Sequence, residues 1–460
     1  MMKKRLFSLL AALCILLGCL AGCNDNASGG ENKTETTTEP TLEIIDYAGS
    51  VELDMDSETV KYQLPVSDIK AYIDGDTTHF YVPTSVAENG VLKARYLAVN
   101  TPESTGKIEV WGKKASNFTK EKLSGATEVV LESDNETWNV DSTGGRHLVW
   151  VWYKPAGSDS FRNLNIELLQ NGLSIASSAA DGRYGETCVA ALAQAKAQKL
   201  HMHSKEKDPD FYYGDAIPVT LKHLRTNLEL YKSMKVTFEG VISREGPQTV
   251  YVEEYDAETD MYYGINVYYG YNLTGTGLEI LKTGNRVKFV GSVQYYEQGM
   301  SWQLSDIEYS DMRPNDPNNI QLISTGHEAA NRLTDPETFC EGTVEVEVLE
   351  SMDSEEPTMT TVKYADMVLG TSISMEDLLV DSVYTTSNED SASKGAMTLT
   401  CYRDGYKISV RTSVMQDGNG NLVTADAYEG KIINVRGIVD TFSGTYQIKV
   451  FTPEDITIVG

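Results

Sequence analysis

Apolar and polar side chains alternate along residues 66–110, the period of two that a half-buried strand needs and a helix cannot use. Asp74-Gly75-Asp76 interrupts the alternation as a turn, and Asn89-Gly90 marks a hairpin. Past Pro102-Glu103 the period changes, with Trp111, Ala115, Phe118 and Leu123 close to helical spacing. Strands resume at 129–131 and 147–152. Two further helical patterns follow, at 164–169 before Gly172 and at 188–200. Five strands with interspersed helices over 66–207 is the layout of an OB-type barrel.

Asp208-Pro209-Asp210 stops the last of these helices. From Val236 the chain is strand-like and tyrosine-rich up to the breaker run Pro314-Asn315-Asp316-Pro317-Asn318. A third β-rich stretch reaches Gly460, with Arg403-Asp404-Gly405 as a turn. These last two stretches share a pattern. Gly284-Asn285-Arg286-Val287-Lys288-Phe289-Val290-Gly291 parallels Gly430-Lys431-Ile432-Ile433-Asn434-Val435-Arg436-Gly437. Gln303-Leu304 and Gln447-Ile448 follow, then Asp306-Ile307 and Asp455-Ile456. A strand bounded by glycines and followed by a hairpin suits a barrel strand that bends sharply. The expected architecture is mainly β with some α: a five-stranded OB-type barrel with helices over 66–207, then two OB-like domains over 208–315 and 316–460. A β-sandwich is the alternative for the latter two.

The amino terminus reads as an export signal. Lys3, Lys4 and Arg5 precede the apolar run 6–20, which is too short to span a bilayer comfortably. Leu20-Ala21-Gly22-Cys23 looks like a bacterial lipobox, with Leu16-Leu17-Gly18-Cys19 as a weaker frame. Residues 1–22 are then the signal, and lipidated Cys23 anchors the chain on the extracellular face of a cell membrane. Residues 23–41 are polar and almost devoid of apolar side chains, a flexible tether, and 42–65 lead into the first domain.

Cys188, Cys340 and Cys401 remain, an odd number without Cys-x-x-Cys spacing. That argues against a disulfide framework and a zinc site, and leaves a Cys340–Cys401 bridge open. The net charge of −28 is uneven: residues 66–207 carry 16 basic and 17 acidic side chains, residues 316–460 carry 9 and 24. Such acidity opposes binding a polyanion, but a Debye length of about 8 Å screens distant domains from a cleft in the near-neutral segment.

That segment holds three short runs: Ile73-Asp74-Gly75-Asp76-Thr77, Arg95-Tyr96-Leu97-Ala98-Val99-Asn100-Thr101-Pro102-Glu103, and Gly144-Gly145-Arg146. They supply aspartates for a hard cation, a carboxylate able to act as a base, and two guanidiniums. Hydrolysis of a phosphodiester needs such a set. In their order and spacing these runs, and with them about residues 66–207, resemble the staphylococcal-nuclease-like (thermonuclease) family. The resemblance implies a Ca²⁺-dependent nuclease acting on DNA or RNA and leaving 3′-phosphate products. It implies Asp76 as the carboxylate on calcium with Asp74 behind it, and Thr101 giving its backbone carbonyl. Asn100 stands where the family places a second aspartate, so the site loses one negative charge. Glu103 would orient or deprotonate the attacking water. Arg95 and Arg146 would flank the phosphate, where a planar fork can donate two hydrogen bonds.

Two departures bear on substrate grip. Thr143-Gly144-Gly145-Arg146 replaces a Tyr-Gly-Arg run, and the tyrosines that pack the nucleotide fall on Ser178 and Ala180. Tyr184 or Trp138 could substitute, or could be core or rim aromatics. His201-Met202-His203 closes a helix without a partner cluster and reads as structural, and 417–421 reads as a hairpin loop. The tyrosines of 262–271 with Tyr295, Tyr296 and Trp302 are either strand aromatics or a base-stacking face. For the whole chain two alternatives stand beside the nuclease: an inactive domain that only binds nucleic acid, and an envelope protein whose acidic OB-like domains meet unknown partners.

Overall fold

The alternation over 66–110 becomes a three-stranded meander. The computed structural model describes residues 43–459 apart from 61, 62, 67, 88, 144, 178–181, 272, 298, 355, 389, 390, 392 and 443. The signal, Cys23, the tether, Ser178 and Ala180 therefore lie outside the described residues. Helix α1 (Tyr47–Ser50) and strand β1 (Gln63–Val66) come first, then the meander β2 (Ile69–Asp74), β3 (Thr77–Tyr81) and β4 (Val91–Tyr96). Next are β5 (Val99–Asn100), α2 (Gly112–Ser124), β6 (Ala126–Glu132), β7 (His147–Pro155), β8 (Arg162–Asn163), α3 (Leu164–Gln170), β9 (Ile175–Ala176) and α4 (Gly185–Gln198). The main sheet runs β2-β3-β4-β7-β6, with β1 beyond β6, and β4 lies parallel to β7. Its core holds Phe80, Leu92, Leu131, Trp150, Trp152 and Leu164, all fully buried. Each such side chain contributes about 1.5–3 kcal/mol of hydrophobic stabilisation.

The stretch 42–65, read from sequence only as a lead, joins that core. Ala48 is buried and its N–H donates to Gln170 Oε1 at 3.0 Å. Asp46 takes two hydrogen bonds from Arg162, at 2.6 and 2.7 Å, and β1 pairs antiparallel with β6.

Beyond β10 (Ile217–Pro218) and α5 (Leu221–Thr226) lie β11 (Lys235–Gly246), β12 (Thr249–Asp256), β13 (Met261–Tyr268), α6 (Thr276–Ile280), β14 (Arg286–Tyr296) and β15 (Ser301–Ser305). The path β11-β12-β13-β15-β14 closes back on β11, a five-stranded barrel. Strands Ser372–Thr385, Met397–Arg403, Tyr406–Thr412, Thr445–Val450 and Ile432–Phe442 close a second barrel in the same order. In all three sheets the third strand runs parallel to the fifth. This order is that of an OB barrel, and the chain as a whole is mainly β.

The glycine repeat now has its cause. Gly284 (φ +84°) and Gly430 (φ +74°) take left-handed turns that L side chains resist. A Cβ on Gly291 would sit 2.5 Å from Ser305 O, and one on Gly437 2.4 Å from Lys449 O, so both mark the close crossing of the fourth strand over the fifth. The two barrels are joined by Glu253, which accepts Ser372 N–H (2.7 Å), Ser372 Oγ–H (2.9 Å) and Ala330 N–H (2.8 Å). The ribbon Thr343–Val348 and Thr358–Lys363 packs Val344, Val346 and Val348 on the core of the first closed barrel, although it follows that barrel in sequence. Cys188, Cys340 and Cys401 are free thiols, and no Cys340–Cys401 bridge forms. Among the described residues no helix is long and apolar enough to cross a membrane.

Candidate active site

Asp74 ends β2 and Asp76 closes the turn into β3, and the register Thr77↔Arg95 sets Arg95 beside that turn. Tyr96 N–H donates to Asp76 O at 2.9 Å. The Asp76 carboxylate accepts Thr101 N–H at 2.8 Å and Thr77 Oγ1–H at 3.1 Å, and it ion-pairs with Arg95 Nη1. Asp74 Oδ1 accepts Asp76 N–H at 3.1 Å. Arg95 Nη2 donates to Asn100 Oδ1 at 2.6 Å. One guanidinium thus gathers the side-chain oxygens of Asp76 and Asn100.

The turn from β4 into β5 brings Asn100 and Thr101 back to the aspartates through Ala98, which is left-handed at φ 66°. Asn165, buried at the start of α3, fixes that turn. Its Nδ2 donates to Leu97 O (2.8 Å) and Val149 O (3.0 Å), and its Oδ1 accepts Val151 N–H (2.9 Å). Asp76 is 2% exposed and Asp74 8%. Burial pushes the Asp74 carboxyl up, and the Arg95 and Arg146 charges with a Thr77 hydrogen bond pull against it. Thr101 Oγ1 is buried and has no hydrogen-bond partner among the described residues. Asp76, Asn100 and Thr101 offer oxygen donors of the kind a hard cation takes, although no three His, Cys, Asp or Glu side chains cluster among the described residues.

Glu103 has an exposed side chain on a fixed backbone. Its N–H donates to Glu109 Oε2 at 3.1 Å and its carbonyl accepts Glu109 N–H at 2.9 Å. Gly112, the first residue of α2, lies so close that a Cβ would stand 2.1 Å from Glu103 O. The start of α2 is braced in turn. Trp111 (φ 70°) donates its N–H to buried Asp208 Oδ2 at 2.6 Å and meets the His201 ring edge-on at 5.0 Å. His201 Nδ1 is 2.7 Å from Asn171 O, which ties that ring into the fold. Although the side chain reaches solvent, partial desolvation by its surroundings raises the Glu103 carboxyl, as does the charge of Asp74, and Arg95 opposes both.

Arg146 donates from Nε to Asp141 Oδ2 at 2.6 Å. Burial pushes Asp141 up, but hydrogen bonds from Thr143 and Arg146 outweigh that and hold it at about 2. The structure therefore joins Asp74, Asp76, Arg95, Asn100 and Thr101 by direct bonds. Glu103 and Arg146 lie within electrostatic reach of Asp74 and Arg95, with no hydrogen bond to them among the described residues. Tyr184 packs edge-on against Trp150 and Trp152 and donates to Glu132 at 3.0 Å, which commits it to the core. Trp138 tilts against His147 at 5.6 Å. Sequence reasoning passed over Asp141, Asn165 and Gly112, and took Asp208 only as part of a helix stop. Only Asp141 carried a local signal, an Asp two residues before a Thr whose N–H and Oγ1–H it accepts.

Residues 93–205 match the family of staphylococcal nuclease homologues. No curated protein sequence matches the chain. The matched span of the nuclease-homologue domain contains Arg95, Asn100, Thr101, Glu103 and Arg146. Asp74 and Asp76 precede it and enter the site through the β3–β4 pairing.

Proposed function

We propose that the nuclease-homologue domain hydrolyses phosphodiester bonds of DNA or RNA with the help of Ca²⁺. The observation that carries this is the convergence of Asp76 and Asn100 oxygens on the Arg95 guanidinium, inside a fold of nuclease homologues. A guanidinium seated between two oxygens occupies the kind of electrostatic position a cation takes. Asp76, the Asn100 amide oxygen and the Thr101 carbonyl would hold calcium, with Asp74 behind them. Bound calcium supplies positive charge for phosphoryl oxygens and water.

The chain's own groups divide the remaining work. Glu103, fixed by its backbone beside α2, takes a proton from the attacking water. Partial desolvation and the Asp74 charge raise its carboxyl, which strengthens it as a base. Arg95, and Arg146 steadied by Asp141, would neutralise the charge that grows on the phosphate. Lipidation of Cys23 at a bacterial cell surface belongs to the same proposal and rests on the Leu20-Ala21-Gly22-Cys23 run. Hydrolysis in ¹⁸O-labelled water tests the chemistry: label should enter the product phosphate at millimolar Ca²⁺ and not with chelator. Unlabelled product phosphate would rule out attack by water.

A further inference from the structure

The ammonium of Lys232, exposed in a chain of net charge −28, lies over two aromatic rings. It stands 5.7 Å from the centre of Tyr295 and 5.9 Å from that of Trp302. The rings pair across β14 and β15 with centroids 5.1 Å apart, and Tyr295 is 37% exposed. Beside Lys232, Ser233 Oγ accepts from Lys113 Nζ at 3.5 Å. Lys113 follows Gly112, which touches the Glu103 carbonyl, and Gln294 Nε2 donates to Ser104 O at 3.3 Å. From Glu103 a run of Lys113, Lys232, Tyr295 and Trp302 thus leads onto the first closed barrel.

Beyond the rings opens a cavity of about 510 Å³. Arg225 lines it. Its Nε and Nη2 donate to Asp366 O at 2.9 and 2.6 Å, and its Nη1 bonds nothing among the described residues. Opposing charges are present. Asp210 lies 3.9 Å from Lys113, and Glu229 and Asp366 share the cavity wall, where the Asp366 carboxylate accepts Tyr446 O–H at 2.5 Å.

We infer that this seam holds an unpaired nucleic-acid strand leaving the cleft of the nuclease-homologue domain, its phosphates on Lys113 and Lys232 and a base on the Tyr295–Trp302 pair. The inference builds on the nuclease reading for the direction of the strand. Its chemistry is separate: an ammonium at a ring face beside a second ammonium suits alternating phosphates and bases. A paired duplex hides its base faces from such a pair, which selects the unpaired strand. The acidic remainder of the barrels confines binding to the seam.

The test uses the full chain carrying Glu103→Gln, so that bound strands persist, and fluorescence anisotropy of labelled single-stranded DNA. A strand of about 20 nucleotides should cover cleft and seam, and a trinucleotide the cleft alone. Lys232→Glu and Tyr295→Ala should each weaken the long strand about tenfold or more, the scale of one lost base stack, and leave the trinucleotide unchanged. Lys232→Glu should also lower the salt slope of binding by about one, which a fold defect would not imitate. Lys232 is exposed, so this variant keeps the fold if Tyr295→Ala does not. Unchanged long-strand affinity and salt slope in Lys232→Glu would overturn the subsite. If the chain with Glu103 intact still cuts the trinucleotide, the nuclease reading survives that loss. If it cuts nothing yet Lys232→Glu weakens the long strand, the subsite survives and the nuclease does not.

Discussion

On the proposed nuclease reading, replacing Gly112 with alanine changes no group assigned to substrate, yet it should cripple cleavage. The added Cβ would lie 2.1 Å from Glu103 O, 2.7 Å from Glu103 C and 3.1 Å from Pro102 O, all backbone atoms. Ordinary contact begins near 3.4 Å, so the Glu103 carbonyl or the start of α2 must move by the difference, 1.3 Å. In an exposed helix the same change would stabilise by roughly 1 kcal/mol. Overpacking here costs about 1–3 kcal/mol, so the net loss of stability stays within about 2 kcal/mol and the domain remains folded. A base displaced by about 1 Å costs on the order of 10² in rate. The assay is steady-state cleavage of a labelled oligonucleotide alongside thermal unfolding. Gly418→Ala, where a Cβ meets open space, is the control. Gly112→Ala cutting at the parent rate would refute the claim that this contact positions Glu103.

Three further outcomes follow from the same contacts. Asn100→Asp restores a charge beside Asp76 and should tighten Ca²⁺ binding about tenfold or more, read by calorimetry on the Glu103→Gln chain. Asp46→Asn removes a carboxyl that Arg162 holds at about 2, against burial. A lowered carboxyl stabilises above its unfolded value and loses that contribution as pH falls toward 2. The deficit in urea midpoint should therefore be present at pH 7 and shrink between pH 4 and pH 2; the pair is partly exposed, so it is worth about 1 kcal/mol or less. Glu253→Ala strips one buried and one half-buried backbone N–H of their acceptor and should destabilise the joined barrels by about 2–4 kcal/mol in equilibrium unfolding.

Much of this molecule was legible because its demands are local. Asp74-Gly75-Asp76 announces a turn between strands, and Gly284, Gly291, Gly430 and Gly437 sit where a side chain would collide or where the backbone is left-handed. The contacts that escaped notice act across the chain. Asn165 bonds Leu97 O from 68 positions away and Asp208 bonds Trp111 N–H from 97, separations that no window of sequence pattern contains. The lead 42–65 was illegible for a related reason. Tyr47, Ala48, Val51 and Leu53 cover a core that other segments build, and nothing in their spacing names that core. The ribbon at 343–363 shows a clean apolar face, Val344, Val346 and Val348, but alternation does not say which core that face will cover.

Cleavage of single-stranded DNA, duplex DNA and RNA by the full chain, with millimolar Ca²⁺ or with chelator and with Glu103→Gln in parallel, meets the central claim most directly. The account predicts cutting of at least one substrate that needs calcium and disappears in Glu103→Gln. A folded chain that cuts none of them with calcium present, or a Glu103→Gln chain that cuts as fast as its parent, would contradict it.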